Sequence, residues 1–334
     1  MSTREDVLAA LRDAAPGDIS GEQLAGRFDV SRVAVGKHVA GLRELGYDIE
    51  AAPGRGYRLL GVPDAPLPAE VRLALHGDGW GQLLGGGVTG STNVDAVRLA
   101  REGAPHGSAV LASVQTAGKG RLGRQWTSPA GGVYVSAVLR PPLTPGELTG
   151  LPLAVAWGVA AEVGERFGVA DRVRVKWPND LLLARGGKLG GVLLEIAGEA
   201  DRTAWVAAGV GLNVVRPAHV AEGAAYLADT QSDDAAPRLA EAAAAVLDGI
   251  SRGYRLLLDE GFGAVRDAVE PLDALRGTSV RVHDISGWLV AEGTAEGVDD
   301  LGRLLVRGGD EGDLVPVSSG DVTLAEPHAG GGSP

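Results

Sequence analysis

Residues 151–168, LPLAVAWGVAAEVGERFG, are apolar on nearly every side. A helix of that kind has no face to offer water, so the chain must bury it completely. Strand-like runs follow: RVRVKW (172–177), KLGGVLLEIAG (188–198) and TAWVAAGVGLNV (203–214). Short turns join them, which predicts an antiparallel meander. Upstream, GGVYVSAVLRP reads as a strand that stops at Pro141-Pro142, and STNVDAVRLAREG as a helix with hydroxyls and an amide at its start. A further helical stretch covers about 236–270. The expected centre, 69–270, is a mixed α/β domain with a mainly antiparallel sheet.

The flanks differ. Over 1–62 three helical segments precede an alternating stretch around Pro53-Gly54 that reads as a hairpin. Ser20 with Gln23 is a capping-box signal, and Ser31 opens a helix whose buried stripe is Val35, Val39 and Leu42. GVPDAPLP (61–68) carries three prolines and sets a linker at 63–68. After Pro271 short runs separated by Gly and Asp suggest a small β-barrel over 271–325, then a disordered tail at 326–334. The 334 residues contain no cysteine, which removes disulfides, thiolate nucleophiles and cysteine zinc sites. With no signal-peptide pattern and no apolar run of membrane length, the chain reads as cytoplasmic, with no membrane partner.

Net charge is −12, yet the 44 residues from Gly103 to Gly146 hold no Asp or Glu, where roughly six would be expected from the overall frequency. At their centre lies QTAGKGRLGRQW (115–126), glycine alternating with base. Glycines let backbone approach a ligand, and guanidinium forks with bare N–H groups suit phosphate or carboxylate. The spacing is neither a Walker motif nor a dinucleotide fingerprint. Read alone, the stretch is equally a flexible surface loop.

Three further signals accompany it. In VKWPNDLLLARGGKLGGVLLE (175–195) a strand delivers Lys176, Pro178 turns the chain beside Asn179-Asp180, and a hairpin through Arg185-Gly186-Gly187 returns with Lys188. The two lysines are thus expected on neighbouring strands, each able to neutralise an anion; a solvated edge guarded by lysines is the plainer account. GVGLNV (209–214) places two glycines in an apolar strand, which suggests a close ligand or a bulge. GSTN (90–93) by default is an N-cap.

These four signals, in this order, resemble the biotin protein ligase family, and 1–62 resembles the winged helix-turn-helix of its bifunctional members, which repress biotin-synthesis genes. The resemblance implies a class II aminoacyl-tRNA synthetase-like catalytic domain and a C-terminal SH3-like barrel. It implies activation of biotin by ATP, with Mg2+, to biotinyl-5'-AMP, then transfer to a lysine of biotin carboxyl carrier protein. By motif position, Ser91, Thr92, Asn93, Gln115, Lys119, Gly120, Arg121, Lys188, Gly191, Gly209 and Gly211 would bind biotin. Gly118, Arg121, Arg124, Trp126, Lys176, Asn179, Asp180, Asn213 and Arg216 would hold ATP or the adenylate. Lys176, Lys188 and Arg121 would be catalytic, and Asp180 would meet the magnesium. The chain departs from the family at Lys119, where arginine is common, and at Leu122, where another base often stands.

The segment 1–62 has eight bases and nine acids, but 31–58 is locally positive, five bases against three acids. Gln23, Ser31, Arg32, Lys37, His38, Arg43 and Arg55 are the candidates for operator DNA, with a homodimer of the adenylate-bound form presenting two half-sites. Two other readings remain: a ligand-sensing regulator without ligase activity, and a lipoate or octanoate transferase.

Overall fold

The computed structural model describes residues 4–52, 54–184, 186–231, 236–308 and 312–324, and the chain divides into two compact units, Met1–Asp64 and Ala65–Pro334. Pro53 and Arg185, at two expected turns, and the expected tail at 326–334 lie outside the described residues.

In the first unit, helices α1 (Arg4–Ala14), α2 (Gly21–Phe28) and α3 (Arg32–Glu44) precede the hairpin β1 (Asp48–Ala52) and β2 (Gly56–Gly61). The Gln23 N–H donates to the Ser20 hydroxyl at 3.1 Å and the Ser20 N–H to Gln23 Oε1 at 2.9 Å, a reciprocal cap for donors that the first turn leaves bare. The Ser31 hydroxyl accepts from Ala34 N–H and starts α3. Val35, Val39 and Leu42 are buried at the predicted spacing and share the interior with Leu8, Leu11, Leu24 and Ile49. The result is a winged helix-turn-helix.

The second unit is built on α4 (Pro68–Ala74), β3 (Leu83–Gly85), β4 (Val88–Thr89), α5 (Thr92–Arg101), β5 (Ser108–Ala112), β6 (Val114–Gln115), β7 (Gly132–Leu139) and α6 (Leu151–Phe167). Then come β8 (Val173–Lys176), β9 (Asp180–Leu183), β10 (Lys188–Glu199), β11 (Arg202–Asn213) and α7 (Leu239–Val269). Seven of these strands form one sheet in the order β3-β5-β7-β11-β10-β9-β8, antiparallel except for the β3–β5 pair. The short strands β4 and β6 pair separately, in parallel.

Strand alternation gives the sheet two faces. On one, Val133, Val135, Ala137 and Leu139 of β7 and Val206, Ala208, Val210 and Leu212 of β11 join α6 and α7 in the main core. There α6 finds its cover: a Cβ at Gly158 would lie 2.1 Å from the Gly249 carbonyl, so α6 and α7 meet backbone to backbone. α7 turns at Gly261, whose φ of 78° and ψ of 178° interrupt the helical path. On the other face α5 packs Ala96, Val97 and Ala100 over Val110, Val138, Trp205 and Ala207. α5 covers only part of that face, and the rest carries the site.

The expected C-terminal barrel is not formed. The strands β12 (Ser279–His283), β13 (Leu289–Val298), β14 (Leu304–Arg307), β15 (Leu314–Val317) and β16 (Asp321–Leu324) make a sheet in the order β15-β14-β13-β12-β16. Closure needs a ladder between the two outer strands, β15 and β16, and none joins them among the described residues. Each of those strands has four residues and spends its hydrogen bonds on one neighbour only. The Trp177 indole N–H donates to the Gly302 carbonyl at 2.9 Å, fastening the turn after β8 to the connection between β13 and β14.

Candidate active site

The register of the large sheet lines up the polar residues. Lys176 lies opposite Asp180, Asp180 opposite Gly191, Gly191 opposite Gly211, and Gly211 opposite Tyr134. This row crosses five strands on the face away from α6. The next row pairs Leu193 with Gly209 and Gly209 with Ser136. Neither glycine of β11 sits at a bulge, because pairing is regular through 209–212 on both sides. They are bare because side chains occupy the space: a Cβ at Gly209 would lie 2.8 Å from Asn93 Oδ1, and one at Gly211 2.6 Å from Trp126 Nε1. Over these rows lies a cavity of about 150 Å³, walled at one end by Ser91, Thr92, Asn93 and Gln115 and at the other by Arg121, Asn179, Asp180 and Lys188.

The polar end is built at the start of α5. Ser91 is the N-cap residue by backbone, but its hydroxyl makes no cap bond. The capping work passes to Gln115, whose Oε1 accepts from Thr92 N–H at 2.8 Å and from the Thr92 hydroxyl at 3.1 Å. Ser136 donates to Thr92 Oγ1, and Gln115 Nε2 donates to Ser128 Oγ, which donates in turn to the Trp126 carbonyl. Ser91 Oγ, Asn93 Oδ1 and Trp126 Nε1 are buried with no hydrogen-bond partner among the described residues. A buried polar atom left unpaired costs about 1–3 kcal/mol, so three on one cavity wall mark a site shaped for a ligand that pairs them.

The stretch of alternating glycine and base at 115–126 folds back as a closed loop over the other end. Lys119 and Gln125 form a bridge, Gly120 N–H donates to the Arg124 carbonyl at 2.8 Å, and Trp126 N–H to the Gly118 carbonyl at 2.9 Å. Leu122 takes a left-handed φ of 57° at the tip. Arg121 Nη1 donates to Asn179 Oδ1 at 3.0 Å, and Asn179 Nδ2 to the Val192 carbonyl at 2.6 Å. Burial pulls the Arg121 guanidinium below its ordinary pKa, partly offset by Asp180. Trp126 lies over the bare glycines, with Lys188 Nζ 5.1 Å from its ring centre and 2.7 Å from Asp180 Oδ1.

Lys176 and Lys188 are not on neighbouring strands: β9 runs between β8 and β10, and Asp180 on it faces both lysines. The stretch DLLL is itself a strand, which places the hairpin return one position further across the sheet than the sequence suggested. Burial lowers the Lys176 pKa, Asp180 raises it and Lys188 lowers it further. A second cavity of about 250 Å³ shares Gln125, Trp126 and Lys188 with the first and is otherwise lined by Thr127, Asn213, His219, Glu222 and Tyr226, among others. The chain around 219–226 clamps Lys188 by its backbone: Lys188 N–H donates to Gly223, Ala225 N–H to Lys188, and Asn213 Nδ2 to the same Lys188 carbonyl.

Most expected ligand-binding residues therefore converge. Gly118 instead packs beneath the loop, against the Trp126 carbonyl and Ser128. Arg216 pairs with Asp229 at 2.7 Å and lies over the Tyr226 ring, lining neither cavity. Arg124 lines the first cavity while ion-paired to Asp321 of β16. Sequence reasoning missed Ser136, Gln125, Leu193 and Asp321. Alternation in VYVSAVL singles out Ser136; nothing local announces Asp321, which arrives from 197 residues away. In the first unit Arg32, Lys37 and Arg55 are exposed and His38 is half-buried. Gln23 and Ser31 are engaged in caps, and Arg43 donates twice to the Ile49 carbonyl of the wing.

A winged helix-turn-helix joined to a cavity that pairs unsatisfied polar atoms with desolvated cations defines a class: a ligase that activates a carboxylic acid, coupled to a regulator. Residues 3–58 match an HTH domain, 86–213 the Biotin/lipoate A/B protein ligase family, and 279–324 the Biotin protein ligase C terminal domain. The bifunctional ligase/repressor BirA of Bacillus subtilis (strain 168) is 33% identical over 326 residues, 96% of this chain and 98% of that one. BirA of Escherichia coli (strain K12) is 33% identical over 91% of this chain and 92% of its own. Among solved structures, the biotin protein ligase of Aquifex aeolicus in complex with biotin and ATP covers 74% of this chain and 100% of its own, at 25% identity and a TM-score of 0.61. The chain belongs to the bifunctional biotin ligase/repressor family.

Proposed function

We propose that the chain condenses biotin with ATP to biotinyl-5'-AMP and pyrophosphate and passes the biotinyl group to a lysine of biotin carboxyl carrier protein, and that its first unit binds operator DNA. The carrying observation is the cavity with unpaired Ser91 and Asn93 atoms at one end and Lys188 and Arg121 beside Asp180 at the other, with Lys176 next to Asp180 on the adjoining strand and off the cavity wall. A cyclic urea offers donors and an acceptor to the first end. A carboxylate meeting an α-phosphate brings two anions to the second.

In this reading Ser91, Thr92, Asn93 and Gln115 hold the ureido ring, and Gly209 and Gly211 make room for the Asn93 and Trp126 side chains that wall its cavity, with Gly191 beside them. Lys188, between the two cavities, draws the biotin carboxylate toward the phosphorus. One carboxylate oxygen bonds to the α-phosphorus and the bond to pyrophosphate breaks, with Lys176 and Arg121 balancing the charge that develops. Asn213 and the 219–226 segment line the nucleotide's cavity. The closed loop of Lys119, Gly120 and Arg121 shields the mixed anhydride from water until the carrier amine attacks its carbonyl and AMP leaves.

Magnesium enters with ATP. Among the described residues no three His, Asp or Glu side chains converge, and Asp180 is already paired with Lys188, so the residues build no resident magnesium site. The phosphates and water would supply most of its ligands.

The ligase half is tested by incubating the full chain with ATP, biotin and a biotin carboxyl carrier domain: transfer to the carrier lysine supports it, and adenylate formation without transfer or no reaction at all refutes it. A lipoate transferase would label the same assay with lipoate instead. The adenylate-bound homodimer is checked by sedimentation with and without biotin and ATP. Among the described residues no helix is long and apolar enough to cross a membrane.

A further inference from the structure

One carboxylate of the large sheet has no part in the chemistry above. Glu195 lies on β10 in the same alternation as Gly191 and Leu193, one row beyond the cavity, opposite Ala207. Its Oε1 accepts from Asn93 Nδ2 at 2.7 Å. Asn93 is 4% exposed, and its other end, Oδ1, is one of the buried atoms with no partner. That oxygen sits over Gly209, 2.8 Å from where a Cβ would be.

We propose that Glu195 is the specificity-setting residue of this site: by holding Asn93 Nδ2 it fixes the amide with its oxygen toward the cavity, so the site demands an N–H donor from the ring of its ligand. The reading rests on biotin as the ligand proposed above. A carboxamide is nearly symmetric in shape, and turning it over exchanges a donor for an acceptor at no steric cost. What selects one orientation is therefore its partners. A carboxylate oxygen only accepts, so the NH2 end must face Glu195 and the oxygen must face the ligand. Without Glu195, nothing else among the described residues bonds either end of that amide. The turned amide would present NH2 to the cavity and repel the N–H it is meant to receive. A cyclic urea satisfies the acceptor; a dithiolane ring has no N–H and would leave it buried and unpaired, which is how such a wall rejects a ligand of similar size. Gly209 belongs to the same device, since any side chain there would drive Asn93 away from Glu195.

Glu195 touches no reacting atom, so its removal should act on ring recognition and not on turnover. The test compares full-length wild type, Glu195→Leu and Glu195→Gln. The probes are biotin and two biotin analogues, each with one ring N–H replaced by oxygen. Binding is measured by calorimetry and adenylate formation by pyrophosphate release. Wild type should bind one analogue about 10- to 100-fold more weakly than biotin, the effect of leaving one buried acceptor unpaired. In Glu195→Leu the KM for biotin should rise about tenfold or more and that discrimination fall below about threefold, with kcat at saturation within about twofold. Glu195→Gln, an amide that can turn over together with Asn93, no longer forces one orientation, so its discrimination should fall below wild type while its KM rises less than in Glu195→Leu. The proposal is overturned by wild type binding both analogues as well as biotin. It is also overturned by Glu195→Leu keeping the wild-type ratio, or by Glu195→Gln keeping the full wild-type discrimination, which would show that an acceptor-only partner is not what orients Asn93. Wild type that binds no biotin defeats the proposed function itself, an outcome distinct from any of these.

Discussion

Lys176 carries a charge in a place that disfavours it. Burial lowers its pKa from the ordinary lysine value of 10.5, Asp180 opposes the shift and Lys188 adds to it. In the interval between the lowered value and 10.5 the unfolded chain binds more protons than the folded one, so stability rises as pH climbs through that interval. The fold thus tolerates a desolvated cation that it would do better without. Lys176→Met should leave the melting temperature at pH 7 unchanged or raised, while adenylate formation falls by about 10²-fold, the scale for losing one preorganised charge stabiliser. A melting temperature that drops together with activity would mean Lys176 is structural. In the wild type, adenylation should decline on the alkaline side at a pH below that of a free lysine, and Lys176→Met should lack this limb. Ser91 makes the parallel case for a neutral group. The residue is 5% exposed and its hydroxyl is buried and unpaired, so Ser91→Ala should leave the ligand-free protein as stable or up to about 1–3 kcal/mol more stable. Biotin affinity should fall at least tenfold, read by calorimetry; an unchanged affinity would show that the hydroxyl faces no ligand atom.

β11 shows at the level of an element what the sequence could and could not disclose. Its glycines were legible as an anomaly, because an apolar strand has no reason to give up packing twice. Their cause was not, since Asn93 and Trp126 reach them from 116 and 85 residues away in sequence. The helix that had to be buried was equally legible, and α7 and the sheet bury it. β9 was harder. Four residues between a proline turn and a glycine turn carry too short a pattern to separate a strand from a linker, and with it went the placement of Lys176 relative to Lys188. The C-terminal strands were legible as four runs, the last of which holds both β15 and β16, but whether two edges zip together depends on non-local pairing that no local run encodes. The β11 account makes a prediction. Gly211→Ala puts a methyl 2.6 Å from Trp126 Nε1, and Trp126 must lift from the sheet and from Lys188. Adenylate formation should drop more than tenfold in a folded protein, visible as altered tryptophan fluorescence with an unchanged far-ultraviolet spectrum. Wild-type rates in that variant would remove Trp126 from the site.

For the whole molecule, the two units each own a core, Leu8, Leu11, Leu24, Val35 and Leu42 in the first and the sheet with α6 and α7 in the second. The second contains every residue assigned to biotin and ATP. A chain lacking residues 1–64 should therefore form adenylate at rates close to the intact chain and lose duplex DNA binding. The charges of the first unit narrow which residues bear that binding. Arg58 is held by both oxygens of Asp18, and Arg43 by the Ile49 carbonyl, whereas Arg32 and Lys37 project from exposed positions at the start and middle of α3. Phosphate contacts reveal themselves through counterion release, so the logarithm of affinity should fall linearly with the logarithm of salt, and each lost contact should reduce the slope by about 1 per site. Lys37→Ala, measured by anisotropy on an operator duplex across a salt series, should weaken binding and flatten the slope, whereas Arg43→Ala should lower the melting temperature of the first unit and leave the slope nearly unchanged. The reverse pattern would place Arg43, in the last turn of α3, and not Lys37 on the phosphate backbone.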